Sequence, residues 1–225
     1  MAAFTLIEMV AVMAIITVVA GVTMPALKGI TGANSVDTGA ATLSGMLNLA
    51  RSQAIAQHTV VRFVVATGWS GQDAQADLRR VSLWSWQPET GRYWQMTKWE
   101  ELPVGLILEP GVPNYVNAAQ YAQNDASTVR GSCVLADDAH DFAANAAFPA
   151  DTNFGIISTR YIEFLPTGAA RIPGSSDRQA IFVAAEGYTD ASLQITHTAQ
   201  TGGHPANWAQ VNVDTLTGRS YVYRP

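Results

Sequence analysis

The chain has 225 residues, a formal net charge of −5, 48% hydrophobic residues and only 14% charged ones. That length allows one ordinary domain with an extension or two small domains. The acidic balance, with Arg79-Arg80 as the one adjacent basic pair, argues against binding nucleic acid by neutralising phosphates, and Cys133 as the sole cysteine excludes an intrachain disulfide, a cysteine zinc site and a CxxC redox pair.

The charges are placed unevenly: apart from Glu8, no Asp, Glu, Lys or Arg precedes Lys28. From Met9 to Leu27 the chain is free of charge, and a helix of that length is roughly 28 Å long, close to the ~30 Å hydrocarbon core of a bilayer. A cleaved secretory signal fits poorly, because a basic n-region is missing and the run is too long for an h-region. A buried core helix fits worse, since the segment is apolar on every face. Glu8 is the informative residue. A carboxylate between apolar neighbours costs several kcal/mol in lipid unless it is protonated or paired. A charge so near the chain end points to a counterion from another copy, with a free α-amino group as the natural candidate. The alternative is that Glu8 lies at headgroup level and snorkels.

Phe4-Thr5-Leu6-Ile7-Glu8-Met9, followed by the apolar run and Pro25, resembles the N-terminal signature of type IV pilins and of the pseudopilins of type II secretion. The resemblance implies a leader Met1-Ala2-Ala3 removed by a prepilin peptidase, with Ala3 where the family usually carries Gly and without the family's basic leader residues. It implies that Phe4 becomes the methylated N-terminus and that Glu8 neutralises the amine of a neighbouring subunit. Pro25 becomes the helix-loosening proline of the membrane half, consistent with the backbone bond a mid-helix proline removes. The implied partners are other pilin or pseudopilin subunits, the peptidase, an inner-membrane assembly platform and membrane lipid. The implied location is the bacterial inner membrane, single-pass with a periplasmic C-terminal head, and then a filament.

Past Pro25, KGITGANSVDTG is small, polar and Gly-rich, so helix propensity is weak and a loosening or bend is expected. Beyond it Val36, Ala40, Leu43, Leu47, Ala50 and Ala54 recur at steps of four and three, which predicts an amphipathic helix over 36–57 whose stripe packs onto a sheet. Asp37 near its start and Arg51 near its end suit the helix macrodipole. From Thr59 the pattern becomes that of strands: TVVRFVVAT is rich in β-branched residues, and Arg80–Trp86 alternates Val81 and Leu83 with Trp84 and Trp86. Turn residues at 87–92 predict a hairpin of Val81–Trp86 with Arg92–Lys98. Further strands are expected at Leu106–Glu109, Tyr161–Phe164, Gln179–Ala184, Ser192–Thr196 and Val211–Val213, the last pairing with Ser220–Tyr223. The segment from Pro113 to Phe154 reads as an insertion, helical around Val116–Ala126 and otherwise looped.

The resulting fold class is α+β: a long N-terminal helix, hydrophobic then amphipathic, packed on an antiparallel β-sheet head. The organisation is a residual leader at 1–3, a membrane and assembly helix at 4–27, an amphipathic spine at 28–58, and a β-rich head at 59–225 with an insertion at about 113–158. Leu49-Ala50-Arg51-Ser52-Gln53-Ala54, Leu102-Pro103-Val104-Gly105, Ile162-Glu163-Phe164-Leu165-Pro166-Thr167-Gly168 and Thr217-Gly218-Arg219, in that order, resemble the GspH/FimT type of minor pseudopilin or pilin.

No GxSxG, P-loop, HExxH or GxGxxG occurs, and His58, His140, His197 and His204 share no ligand spacing. Neither an enzyme nor a cofactor or metal site is expected. Asp137-Asp138-Ala139-His140-Asp141 lacks the ligand order and glycine of a calcium loop and reads as a solvated acidic loop. Trp84, Trp86, Tyr93, Trp94 and Trp99 gather in and beside one hairpin. Cross-strand packing accounts for them first, and any that are exposed (Trp84, Trp86, Trp94 and Trp99 being the candidates) become a partner surface. The resemblance thus implies a non-catalytic minor subunit of a type II secretion or type IV pilus-like filament. The rivals are a signal-anchored extracytoplasmic binding domain or enzyme, which needs no FTLIE, and a DNA-uptake pilin, which needs a basic face this composition does not provide.

Overall fold

The computed structural model describes residues 6–68, 78–109, 136–141, 156–174, 178–190, 194–198, 200–202 and 204–224, with backbone alone at 20–34, 136–141 and 156–158. Ala3, Phe4, Cys133 and the expected helix at Val116–Ala126 lie outside these residues. Helix α1 runs from Leu6 to Gln57, with a helical backbone through Pro25 and the Gly-rich stretch where a bend was expected. It stops where His58 adopts a left-handed φ of 51° and the Thr59 N–H donates back to the Ala54 carbonyl at 3.3 Å, a terminating geometry more often made by glycine.

All six residues of the 36–54 stripe are buried at 1% exposure or less. Three of them are alanines, which let the helix backbone approach the strands closely. Beneath the helix lie two antiparallel sheets. The first has the order β3-β2-β1-β7-β6, from β1 Val61–Gly68, β2 Arg80–Gln87, β3 Arg92–Gln95, β6 Ala136–Asp141 and β7 Ile156–Phe164. Two short strands join it: β4 Glu100–Glu101 pairs with β2, and β8 Ala170–Arg171 with β7. The second runs β10-β9-β13-β14, with β5 paired to β9. Its strands are β5 Leu106–Leu108, β9 Gln179–Thr189, β10 Ile195–His197, β13 Trp208–Asp214 and β14 Ser220–Tyr223. A two-residue ladder joins β11 Gln200–Thr201 to β12 His204–Pro205. Phe63 of the first sheet meets Phe182 of the second edge to face, centroids 5.5 Å apart, so the two sheets and the helix share one core.

The expected hairpins form: Trp86 pairs with Tyr93 and Gln87 with Arg92, and Val213 pairs with Ser220. Two expectations are corrected. The acidic run 137–141 is not a loop but strand β6, in register with β7, and an extended strand does not wrap its residues around one cation. Asp37 lies in the middle of a 52-residue helix, where the macrodipole is not felt; its carboxylate instead pairs with Arg224 at 2.6 Å.

Three of the short motifs, scattered along the chain, converge at the helix end. The Arg51 Nε donates to the Gly168 carbonyl at 3.1 Å and to the Thr217 carbonyl at 2.7 Å, tying two turns to α1. Gly168 and Gly218 have φ of 85° and 65°, and a Cβ on Gly218 would collide with the Gly168 carbonyl oxygen. Gly45, on the solvent side of α1, has open space around it. Gly218→Ala should therefore lower the unfolding free energy by at least about 2 kcal/mol through strain and clash. Gly45→Ala should raise it by roughly 0.5–1 kcal/mol. Chemical denaturation of the two variants beside the parent protein checks both signs.

Candidate functional site

The N-terminal part of α1 is a bare apolar rod. Every residue from 6 to 19 is exposed, including Leu6 at 83%, Ile16 at 60% and Val18 at 67%, side chains that point to different sides of the helix. Water is the wrong environment for such a surface. Glu8 lies in the first described turn of the helix. Pro25 lies within the helical backbone. Among the described residues no helix is long and apolar enough to cross a membrane.

The aromatic hairpin separates into distinct parts. Trp84 is 1% exposed and belongs to a second cluster with Val64, Ala66 and Tyr161, against which Tyr93 and Trp99 pack. It is a core residue, which removes it from the candidate partner surface. The period of two does send Trp84 to the face opposite Val81 and Leu83, but that face is itself buried. Trp86 stacks edge to face on Tyr93 with centroids 5.1 Å apart. Trp94 alone of the four candidates is among the exposed large hydrophobics, at 37%, and its indole N–H donates to the Thr90 hydroxyl at 3.3 Å.

Beside this cluster lies a polar centre that the sequence reading missed. Glu163 of β7 is 3% exposed and stands opposite Arg62 of β1 in the ladder. Its Oε1 accepts from the Arg62 Nε at 3.1 Å and the Tyr93 hydroxyl at 3.0 Å. Its Oε2 accepts from the Arg171 Nε at 3.1 Å and Nη2 at 2.5 Å. The Arg62 guanidinium is held between two rings, 3.7 Å from the centroid of Tyr93 and 3.9 Å from that of Tyr161, a cation–π sandwich. A charged residue inside each of two apolar strands, Arg62 in TVVRFVVAT and Glu163 in RYIEF, was the available signal. Burial alone would raise the Glu163 carboxyl, but the hydrogen bonds from Arg171, the charge of Arg62 and the Tyr93 hydroxyl outweigh it and hold the group below the usual carboxylate range. Burial, with the Glu163 charge adding to it and Arg62 opposing, pushes the Tyr93 phenol up to about 12. This centre is a structural lock: donors from Arg62, Tyr93 and Arg171 converge on one buried carboxylate and tie β1, β3, β7 and β8 together. Among the described residues no group of three His, Cys, Asp or Glu side chains could hold a metal ion.

No protein-family model matches the chain, and no curated protein matches it. Among solved structures, the chain is similar to the minor pseudopilin EpsH of the type II secretion system of Vibrio cholerae. One EpsH structure is 15% identical over 86% of this chain and 98% of that one, with a TM-score of 0.40. A second is 14% identical over 85% and 98%, with a TM-score of 0.39.

The Glu163 lock has a pH signature. Its carboxyl is held low in the folded state, so its stabilisation is present above the unfolded value near ~4.3 and is lost as pH falls through the folded value. Tyr93 is held high, so stability falls again as pH rises from about 10 toward about 12. Glu163→Gln should cost about 3 kcal/mol at neutral pH, the low end for a broken buried pair because Arg171 is half-exposed. It should also flatten the acid limb. Thermal unfolding midpoints from pH 3 to 11 for both proteins read this out.

Proposed function

We propose that the chain is a non-catalytic minor pseudopilin or pilin subunit, held in the bacterial inner membrane by the N-terminal part of α1 and then packed into a type II secretion or type IV pilus-like filament. The observation that carries this reading is the apolar helix surface at 6–19, exposed on every side and carrying Glu8, joined to a head whose core closes without it. An apolar rod of this kind is covered by lipid before assembly and by the equivalent rods of neighbouring subunits after it. The charge-free run continues to Leu27, which brings its length to that of a bilayer core. The motif FTLIE and Pro25, in the pattern of the prepilin signature, support the same reading. In it the chain is cut before Phe4, and the new amine of one subunit is neutralised by Glu8 of another.

Glu8 then sets register. A carboxylate in an apolar bundle is satisfied only where a counterion arrives, so a misplaced subunit leaves a buried charge unpaired and is disfavoured by several kcal/mol. The head, with Trp94 exposed on its β2–β3 hairpin, selects which subunit or cargo sits beside it. DNA is not an expected partner of a head this acidic.

Glu8→Ala should leave the protein in the membrane fraction while lowering its incorporation into filaments at least tenfold, the equivalent of ~1.4 kcal/mol lost per subunit contact. Quantitative immunoblotting of sheared filaments against membranes measures it, and wild-type incorporation would remove the register role. Mass spectrometry of the same membrane material should find N-methyl-phenylalanine at residue 4.

A further inference from the structure

Beyond the anchor itself, the head has an end that faces where the anchor emerges, and the strand registers define it. A Cβ on Gly39 of α1 would touch the Leu106 side chain of β5, and Leu106 pairs with Glu186 of β9. Asp37 is joined through Arg224 to the Trp208 carbonyl at 3.1 Å, and Trp208 pairs with Ala185. Residues 185–186 of β9 are therefore level with residues 37–39 of the helix. At the other end of β9, Ala180 pairs with Val213, which pairs with Ser220, whose hydroxyl lies 2.9 Å from that of Ser44. Moving along β9 toward Tyr188 thus moves along α1 toward its apolar N-terminal half.

At that end stand two exposed apolar side chains. The Gly187 N–H donates to the Gly105 carbonyl at 2.9 Å, which holds the turn at 103–106 beside β9 next to Tyr188. Val104 is 83% exposed and Tyr188 49%. Val104 occupies the tip of a tight turn that the Leu106 N–H closes on the Pro103 carbonyl at 3.2 Å, with Gly105 at φ 86° supplying the left-handed corner. Two further residues of strand carry Tyr188 about 7 Å beyond Leu106, level with about residue 35 of α1. That is roughly 12 Å of helix from Leu27, while the headgroup layer is itself ~5–8 Å thick. No charged residue lies between Lys28 and Asp37 to hold the head away from the membrane, and an ordinary helix tilt of about 20° lowers one side of the base further.

We propose that Val104 and Tyr188 form a foot by which the head rests on the lipid surface before assembly, with the tyrosine ring at headgroup level and its hydroxyl in water, the position tyrosine favours at membrane interfaces. This rests on the anchored reading above. The foot fixes the head's tilt relative to the bilayer, and it must lift when the subunit is extracted into a filament.

The full chain, carrying Cys133→Ser and one new cysteine at a time, is labelled with an environment-sensitive nitrobenzoxadiazole and reconstituted into phosphatidylethanolamine–phosphatidylglycerol vesicles. The positions are Val104→Cys, Tyr188→Cys, Leu216→Cys at the Arg51 end of the head, and Val18→Cys in the apolar rod. Labels at 104 and 188 should shift to the blue and be quenched by headgroup-attached nitroxide lipids several-fold more strongly than the label at 216. Labels at 104 and 188 that behave like 216 while 18 is quenched by acyl-chain nitroxides overturn the foot and leave the anchor standing. An unquenched label at 18 overturns the anchored reading and the foot with it. Labels at 104 and 188 that are shielded from aqueous iodide yet untouched by nitroxide lipids identify a protein contact and overturn the lipid assignment.

Discussion

The constraint on which the rest of this structure depends is that one continuous helix must satisfy two environments at once. Over residues 36–54, α1 turns a narrow stripe of Val, Leu and Ala onto two sheets and closes a core; over 6–19 it presents apolar side chains in every direction and closes nothing. A helix transmits position rigidly along its axis at about 1.5 Å per residue, so whatever covers the bare half also fixes where the head stands. Lipid and neighbouring helices differ in how they do this. Lipid sets a height; a helix bundle sets a height and a register.

The head is fastened to the helix on one side by polar contacts in addition to the apolar stripe. Asp37 holds Arg224, Ser44 meets Ser220, and Arg51 gathers the turns at 165–168 and 214–218. These three contacts run along one edge of α1 and engage the last hairpin of the chain, so the C-terminal strand β14 is stitched along the helix rather than hung from the sheet. The Glu163 lock fastens the other sheet from within. A core built in this way leaves the exposed face of α1 free of any packing duty.

How much of this was legible beforehand depended on the range of the interaction. The Val36-to-Ala54 stripe was readable because its spacing of three and four is a local property of a helix. The β2–β3 and β13–β14 hairpins were readable because their turns are spelled by adjacent residues. The Glu163 centre joins positions 101 residues apart, so it exists only once β1 and β7 pair in one particular register, and no local pattern encodes that register. Which of the hairpin tryptophans packs and which stays exposed has a related cause: alternation identifies two faces of a strand without saying that both are buried, as they are at Trp84. Asp37 follows a Gly-rich segment whose weak helix propensity suggests a helix start, but α1 runs through that segment. The acidic strand β6 defied its composition, since a strand rich in Asp is stabilised by its ladder partner and not by its own propensity.

The most direct test of the account is the stability and solution state of the head separated from the bare rod. A chain comprising residues 29–225 should be monomeric by sedimentation and should unfold within a few degrees of the full chain held in bilayers, because among the described side chains the hydrophobic core begins at Val36. An unfolded or heavily aggregated 29–225 chain would contradict the division of α1 into a closed half and a half that awaits cover.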